Sequence, residues 1–91
     1  MQDYLLRGEV ADGQFDTEAA VTFKDVRGRV ITTLASRSLL HRDSRGRESL
    51  RVRVLAEGEG YVVAEIPGDV YGATRDVAVV PDLLEPLATA G

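Results

Sequence analysis

Residues 12–24 read DGQFDTEAAVTFK, and this stretch decides the fold class. Asp12-Gly13 is a strong two-residue hairpin signal, because both central residues of a type I′ turn need positive φ. Behind it Phe15, Thr17, Ala19, Val21 and Phe23 alternate with Gln14, Asp16, Glu18, Ala20, Thr22 and Lys24. A period of two over that length marks a half-buried strand rather than a helix. Closing the turn as a two-residue loop predicts Val10 opposite Phe15, Leu6 opposite Ala19 and Tyr4 opposite Val21, all facing inward. Arg7 then lies opposite Glu18, a favourable cross-strand pair, whereas Glu9 lies opposite Asp16, an unfavourable one.

Downstream, Val26-Arg27-Gly28 predicts a three-residue hairpin loop with Gly28 in the left-handed region. That register opposes Asp25 to Arg29 and Phe23 to Ile31. The next strand runs from Arg29 to Leu34; its alternation degrades past Ala35, where a bulge is expected to re-aim the chain towards Leu39–His41. Arg42–Arg47 is a polar loop. A strand from Leu50 to Glu57 follows, then a second three-residue loop, Gly58-Glu59-Gly60. This loop predicts Val54 opposite Ala64 and Ala56 opposite Val62 inside, with Arg53 opposite Glu65, Leu55 opposite Val63 and Glu57 opposite Tyr61 outside. Pro67-Gly68 fits a type II turn. Asp69–Thr74 reads as a loop and Asp76–Val80 as a last strand. Asp82 is expected to cap one helical turn over Leu83 and Leu84, ended by Pro86. No internal repeat, linker or low-complexity segment is read.

The expectation is an all-β domain: a small antiparallel meander of about six strands, closing into a barrel or rolled sheet, with a short C-terminal helical turn. In size and strand count it is similar to SH3-like and OB-like barrels, an architectural likeness only. One domain spans residues 1–87, with a frayed tail at 88–91. The expected core is Tyr4, Leu6, Val10, Phe15, Val21, Phe23, Ile31, Val52, Val54, Val62 and Ile66.

Composition narrows the function classes. The 91 residues are 44% hydrophobic and 29% charged, which is ordinary for a globular domain and argues against disorder. There is no cysteine, and His41 is the only histidine, so disulfides, thiolate metal sites and multi-histidine metal sites are excluded. No cofactor and no metal are expected. The apolar runs are too short for a membrane span and the N-terminus lacks a signal-peptide layout, so a cytoplasmic setting without membrane contact is expected. The net charge of −4 hides a division. Lys24 to Arg53 holds nine basic residues against three acids, a balance of +6; the rest holds two basic residues and twelve acids, a balance of −10. Such asymmetry bears on partners and not on fold.

Catalytic constellations are thin. His41, Asp43 and Ser44 lie in one loop, whereas a triad needs its groups to converge from different elements with the base in the middle. Acids beside the glycine turns read as solvated, and Gly58-Glu59-Gly60 lacks the strand-to-helix setting of a nucleotide loop. No enzyme activity is expected. Two interaction readings remain. The first is a non-enzymatic module that binds a partner protein or its own copies through Leu55, Tyr61 and Val63, outward-facing apolar residues rimmed by charges. A closing barrel could instead bury that face under Asp69–Thr74. The second reading is nucleic-acid or anion contact through the arginine-rich hairpin 42–53, by Arg42, Arg45, Arg47, Arg51 and Arg53. Its weakness is that only Tyr61 and Tyr71 are left as outward aromatics on which bases could stack.

Overall fold

A computed structural model describes residues 3–87; the expected frayed tail at 88–91 lies outside the described residues. Over the described residues the chain is all-β, with ten strands in two antiparallel sheets. The first sheet contains β1 (Asp3–Leu6), β6 (Glu48–Gly58), β7 (Tyr61–Glu65), β9 (Asp76–Val79) and β10 (Leu84–Pro86), in the order β10-β1-β6-β7-β9, with β5 (Leu40–Arg42) also paired to β6. The second holds β2 (Glu9–Asp12), β3 (Glu18–Lys24), β4 (Val30–Ser36) and β8 (Asp69–Tyr71), in sequence order. Among the described residues the strands form two open sheets and no closed ring.

One core lies between the inner faces. Leu6, Leu50, Val52, Ala64, Val77 and Val79 come from the first sheet, Val21, Phe23, Ile31 and Ala35 from the second, and Ile66 from the segment just after β7. Alternation does what it should on β3 and β4: Ala19, Val21 and Phe23 are buried, as are Ile31, Thr33 and Ala35. The β3–β4 hairpin is in the expected register. Phe23 faces Ile31, Asp25 N–H donates to Arg29 O at 2.9 Å, and Gly28 has φ +83. Its loop also bonds the other sheet, since Val26 N–H donates to Ala78 O at 2.8 Å.

The first turn departs from expectation. Val10 pairs with Val21 and Asp12 with Ala19, residues 13–17 connect β2 to β3, and Gly13 has no positive φ. The register has slipped by six residues, an even number, so β3 keeps its buried face. Phe15 is lost from the core, however, and lies 67% exposed at the loop. Local bonds hold the wider loop: the Glu18 carboxylate accepts from Gln14 N–H at 3.1 Å, and Arg37 donates to Asp12 Oδ1 at 2.6 Å. Glu9 now sits opposite Thr22 instead of an acid. The chain can make this choice because Tyr4 and Leu6 belong to the other sheet, where they face Val52 and Leu50. Gly8 lies at the crossover, and a Cβ there would stand 2.8 Å from Thr22 O.

Further differences concern the connections. The expected bulge after Ala35 is a 3-10 turn over Arg37–Leu39, which carries the chain between the sheets. The 58–60 loop is a two-residue turn in which Gly58 pairs with Tyr61, and the extra residue is a bulge in β6 between Val54 and Ala56. Gly60 still has positive φ. The expected loop 69–74 begins with β8, which pairs with β4 through Thr33 and Val70. The C-terminal helical turn is a 3-10 turn over Pro81–Leu83; Val80, not Asp82, is its cap, and β10 follows on the edge beside β1. Pro86 ends that edge strand, where a missing N–H is tolerated.

Candidate interaction surface

The outer face of β6, β7 and β9 is assembled by the register around the bulge. Before it, Val54 faces Ala64; after it, Ala56 faces Val63 and Gly58 faces Tyr61. On the other side Val63 faces Ala78, and the same register sets Tyr61 beside Val80. With Val62, Ala64, Val77 and Val79 buried inward, their alternates Tyr61, Val63, Ala78 and Val80 occupy the outer face. Leu55 is the bulged residue, 41% exposed; Tyr61 is 39% and Val80 38% exposed, while Val63 is half-buried. The Tyr61 ring lies over Gly58, where a Cβ would collide with it. An aromatic packed over a cross-strand glycine is a recognised way of covering a weak edge position.

Leu55, Tyr61 and Val63 are therefore brought together, although Val63 faces Ala56 rather than Leu55. Ala56, Ala78 and Val80 extend the group. Ala78 and Val80 were readable from the alternation at 76–80; Ala56 depended on a bulge that no residue type announces. Asp69–Tyr71 pairs with β4 in the second sheet and does not close over this face. Arg53 and Glu65, 3.9 Å apart, stand at its border.

The five candidate arginines do not form one track. Arg51 and Arg53 alternate onto the outer face of β6, where Arg51 holds Asp3 and Arg53 pairs with Glu65. Arg42 donates to Gly46 O at 2.6 Å, and Arg45 donates to Asp43 Oδ2 at 2.9 Å. Arg45 and Arg47 line a separate groove of about 510 Å³ together with Arg7 and Lys24.

The Arg42–Arg47 loop repeats a design that sequence reading missed. Asp25-Val26-Arg27-Gly28-Arg29 and Asp43-Ser44-Arg45-Gly46-Arg47 share the pattern Asp-x-Arg-Gly-Arg. In both loops one aspartate oxygen accepts from two backbone N–H groups, those of Arg27 and Arg29 or of Arg45 and Arg47, at 2.8–3.1 Å. The other oxygen takes an arginine, Arg29 in the first loop and Arg45 in the second. Gly28 and Gly46 both have positive φ. Burial pushes both carboxyl groups towards the neutral form, but the arginine and backbone bonds outweigh it and hold both below the ordinary aspartate range. For Asp43 a bond from Ser49 Oγ at 2.9 Å adds to this, and the lowering is large.

His41, Asp43 and Ser44 do not form a relay. Asp43 is occupied by Arg45, Ser49 and backbone, while the Ser44 hydroxyl donates to Glu85 at 2.9 Å. The bond from the Ser44 side chain, against some burial, keeps Glu85 below its usual range; Ser44 N–H and Arg7 add to it. His41 Nε2 is buried without a hydrogen-bond partner. Among the described residues no three His, Asp or Glu side chains cluster as metal ligands, and no helix is long and apolar enough to cross a membrane.

No protein-family model matches the chain, and neither a curated protein nor a solved structure is detectably similar to it.

Proposed function

We propose that this protein is a non-enzymatic interaction module of the cytoplasm that binds its own copies or a partner protein through the outer face of the β6–β7 hairpin and β9. The observation that carries the reading is the set of exposed apolar residues Leu55 on β6, Tyr61 on β7 and Val80 just past the end of β9, flanking half-buried Val63. Single exposed apolar residues are ordinary on any surface, but a contiguous group with a charged rim has the make-up of an interface centre. The SH3-like or OB-like barrel reading rests on the small size and the single core under antiparallel sheets, and the two open sheets stop short of the closed ring it calls for. Nucleic-acid binding through Arg42, Arg45, Arg47, Arg51 and Arg53 has less support. The arginines are split between two surfaces, and three of the five are ion-paired with Asp3, Asp43 or Glu65.

Two experiments separate these readings. Leu55→Asp places a charge at an exposed bulge, where the fold can accept it, and should abolish association while leaving the melting temperature within a few degrees. A gel shift with mixed RNA and DNA should show no binding at moderate salt. Micromolar retardation with a steep salt dependence would favour the arginine reading instead.

A further inference from the structure

The groove beside the second Asp-x-Arg-Gly-Arg loop has a mixed chemistry. Arg7, Lys24, Arg45 and Arg47 line it with one acid, Glu9. Phe23, Val30 and Leu83 supply apolar surface; Phe23 is a core residue whose edge is reached from the groove, and Val30 is exposed. Arg7 and Arg45 are already committed to Glu85 and Asp43, which lie outside the lining. Lys24 and Arg47 have no side-chain partner among the described residues, and neither has Glu9, so the uncompensated charge is positive. At about 510 Å³ the groove falls in the range of roughly 300–1,000 Å³ typical of ligand sites, with room for an aromatic ring flanked by carboxylates.

The chain itself carries a segment of that complementary chemistry. The tip of the β6–β7 hairpin is Glu57-Gly58-Glu59-Gly60-Tyr61, exposed throughout, and neither Glu57 nor Glu59 has an ion-pair partner among the described residues. It cannot serve its own groove. β6 runs for eleven residues from the end near the Asp43–Arg47 loop to this tip, about 33 Å at roughly 3.3 Å per residue.

We propose that the groove receives the acidic, tyrosine-bearing hairpin tip of a second copy of this chain. Glu57 and Glu59 meet Lys24 and Arg47, and the Tyr61 ring rests on the apolar wall. This rests on the reading of the β6–β7 hairpin as an interaction element and names the surface it meets. The contact is head-to-tail, each copy offering a tip at one end and a groove at the other, so it propagates into rings or open chains rather than stopping at a two-fold dimer. Being charge-driven and surface-exposed, it weakens as salt rises.

The test is sedimentation of two charge-reversed proteins, alone and mixed. One carries Lys24→Glu with Arg47→Glu, the other Glu57→Lys with Glu59→Lys; all four positions are exposed, and unchanged circular dichroism confirms folding. Each variant alone should associate at least tenfold more weakly than wild type. Mixed in equal amounts they should regain wild-type association, because each reversed tip then meets a groove of opposite charge. Glu9→Gln, which removes the opposing acid, should tighten association. If either reversed variant associates like wild type, or the mixture fails to recover, the groove assignment is overturned. If the groove variant associates normally while Leu55→Asp does not, the hairpin remains an interface and the groove alone is refuted. Wild type that stays monomeric refutes the groove assignment and self-association through the hairpin together.

Discussion

Phe15 and Phe23 make a paired test of the register. Both fall on the same face of the alternating run at 14–24, and a two-residue turn at Asp12-Gly13 would bury both. In the structure Phe23 is 5% exposed, opposite Ile31 and within the central cluster, whereas Phe15 is 67% exposed in the 13–17 loop. Phe23→Ala removes a ring from a packed site and leaves a cavity, at a cost of about 3–5 kcal/mol. A 91-residue domain has about 5–14 kcal/mol in all at typical per-residue stabilities, so this one change takes a large share. At roughly 4–8 °C per kcal/mol for a domain of this size, the melting temperature should fall by at least about 12 °C. Phe15→Ala should stay within about 0.5 kcal/mol of wild type, as surface substitutions do. Urea unfolding followed by far-ultraviolet circular dichroism gives both values. Equal losses from the two variants would restore the two-residue turn and refute the observed pairing of Val10 with Val21. A Phe23→Ala protein that melts within a degree or two of wild type would refute the inward face of β3.

Other perturbations test the loops and the carboxylates. Asp25, Asp43 and Glu85 are all held below their ordinary values, so their contribution is fully present above the unfolded values of 3.8 and 4.5 and is lost as pH falls through the folded ones. Melting temperature should therefore drop steeply below about pH 4, and Asp43→Asn, which removes that linkage, should flatten the acid limb; an unchanged limb would show that the carboxylate is not caged. Gly28→Ala should cost about 1–2 kcal/mol, because φ is +83 while the space for a Cβ is empty. Gly68→Ala should cost clearly more, since φ is +89 and a Cβ would also run into the Leu34 carbonyl oxygen; equal costs in thermal melts would contradict that close approach. Thr33→Val should cost about 1–3 kcal/mol in urea unfolding, because it removes the 2.6 Å bond that buried Thr33 donates to the partly buried Pro67 O. A neutral result would mean that water reaches that oxygen.

What was legible in the sequence was local. The Val26-Arg27-Gly28 loop read correctly because its glycine, its flanking Asp25 and Arg29 and the Phe23–Ile31 pair all favour one register. The all-β class followed from alternation in the same way. Strand partners distant in sequence were not legible: Tyr4 and Leu6 pair with Val52 and Leu50, and β10 returns to β1 across the whole chain. Nothing local distinguishes those partners from β3. The slip at residues 13–17 is hidden for a related reason, since an even shift preserves the buried face of Ala19, Val21 and Phe23 and sacrifices only Phe15. For the candidate surface, Leu55, Tyr61 and Val63 were recoverable because outward residues on a hairpin need only the alternation. Their neighbours depended on the bulge at Leu55, which no residue type marks. The twin Asp-x-Arg-Gly-Arg loops were missed although the residues spell them out: in each the aspartate caps two backbone N–H groups and holds one arginine, the last residue of the first loop and the third of the second, while the glycine takes a positive φ.

The claim that matters most is that the exposed face of β6, β7 and β9 associates with another protein surface, in the simplest case that of a second copy. Sedimentation velocity of wild type from low to high micromolar concentration tests it most directly. The account predicts a sedimentation coefficient that rises with concentration; a fall on adding salt belongs to the tip-in-groove contact, whereas the apolar face alone keeps its association. A single monomeric species throughout that range would contradict self-association.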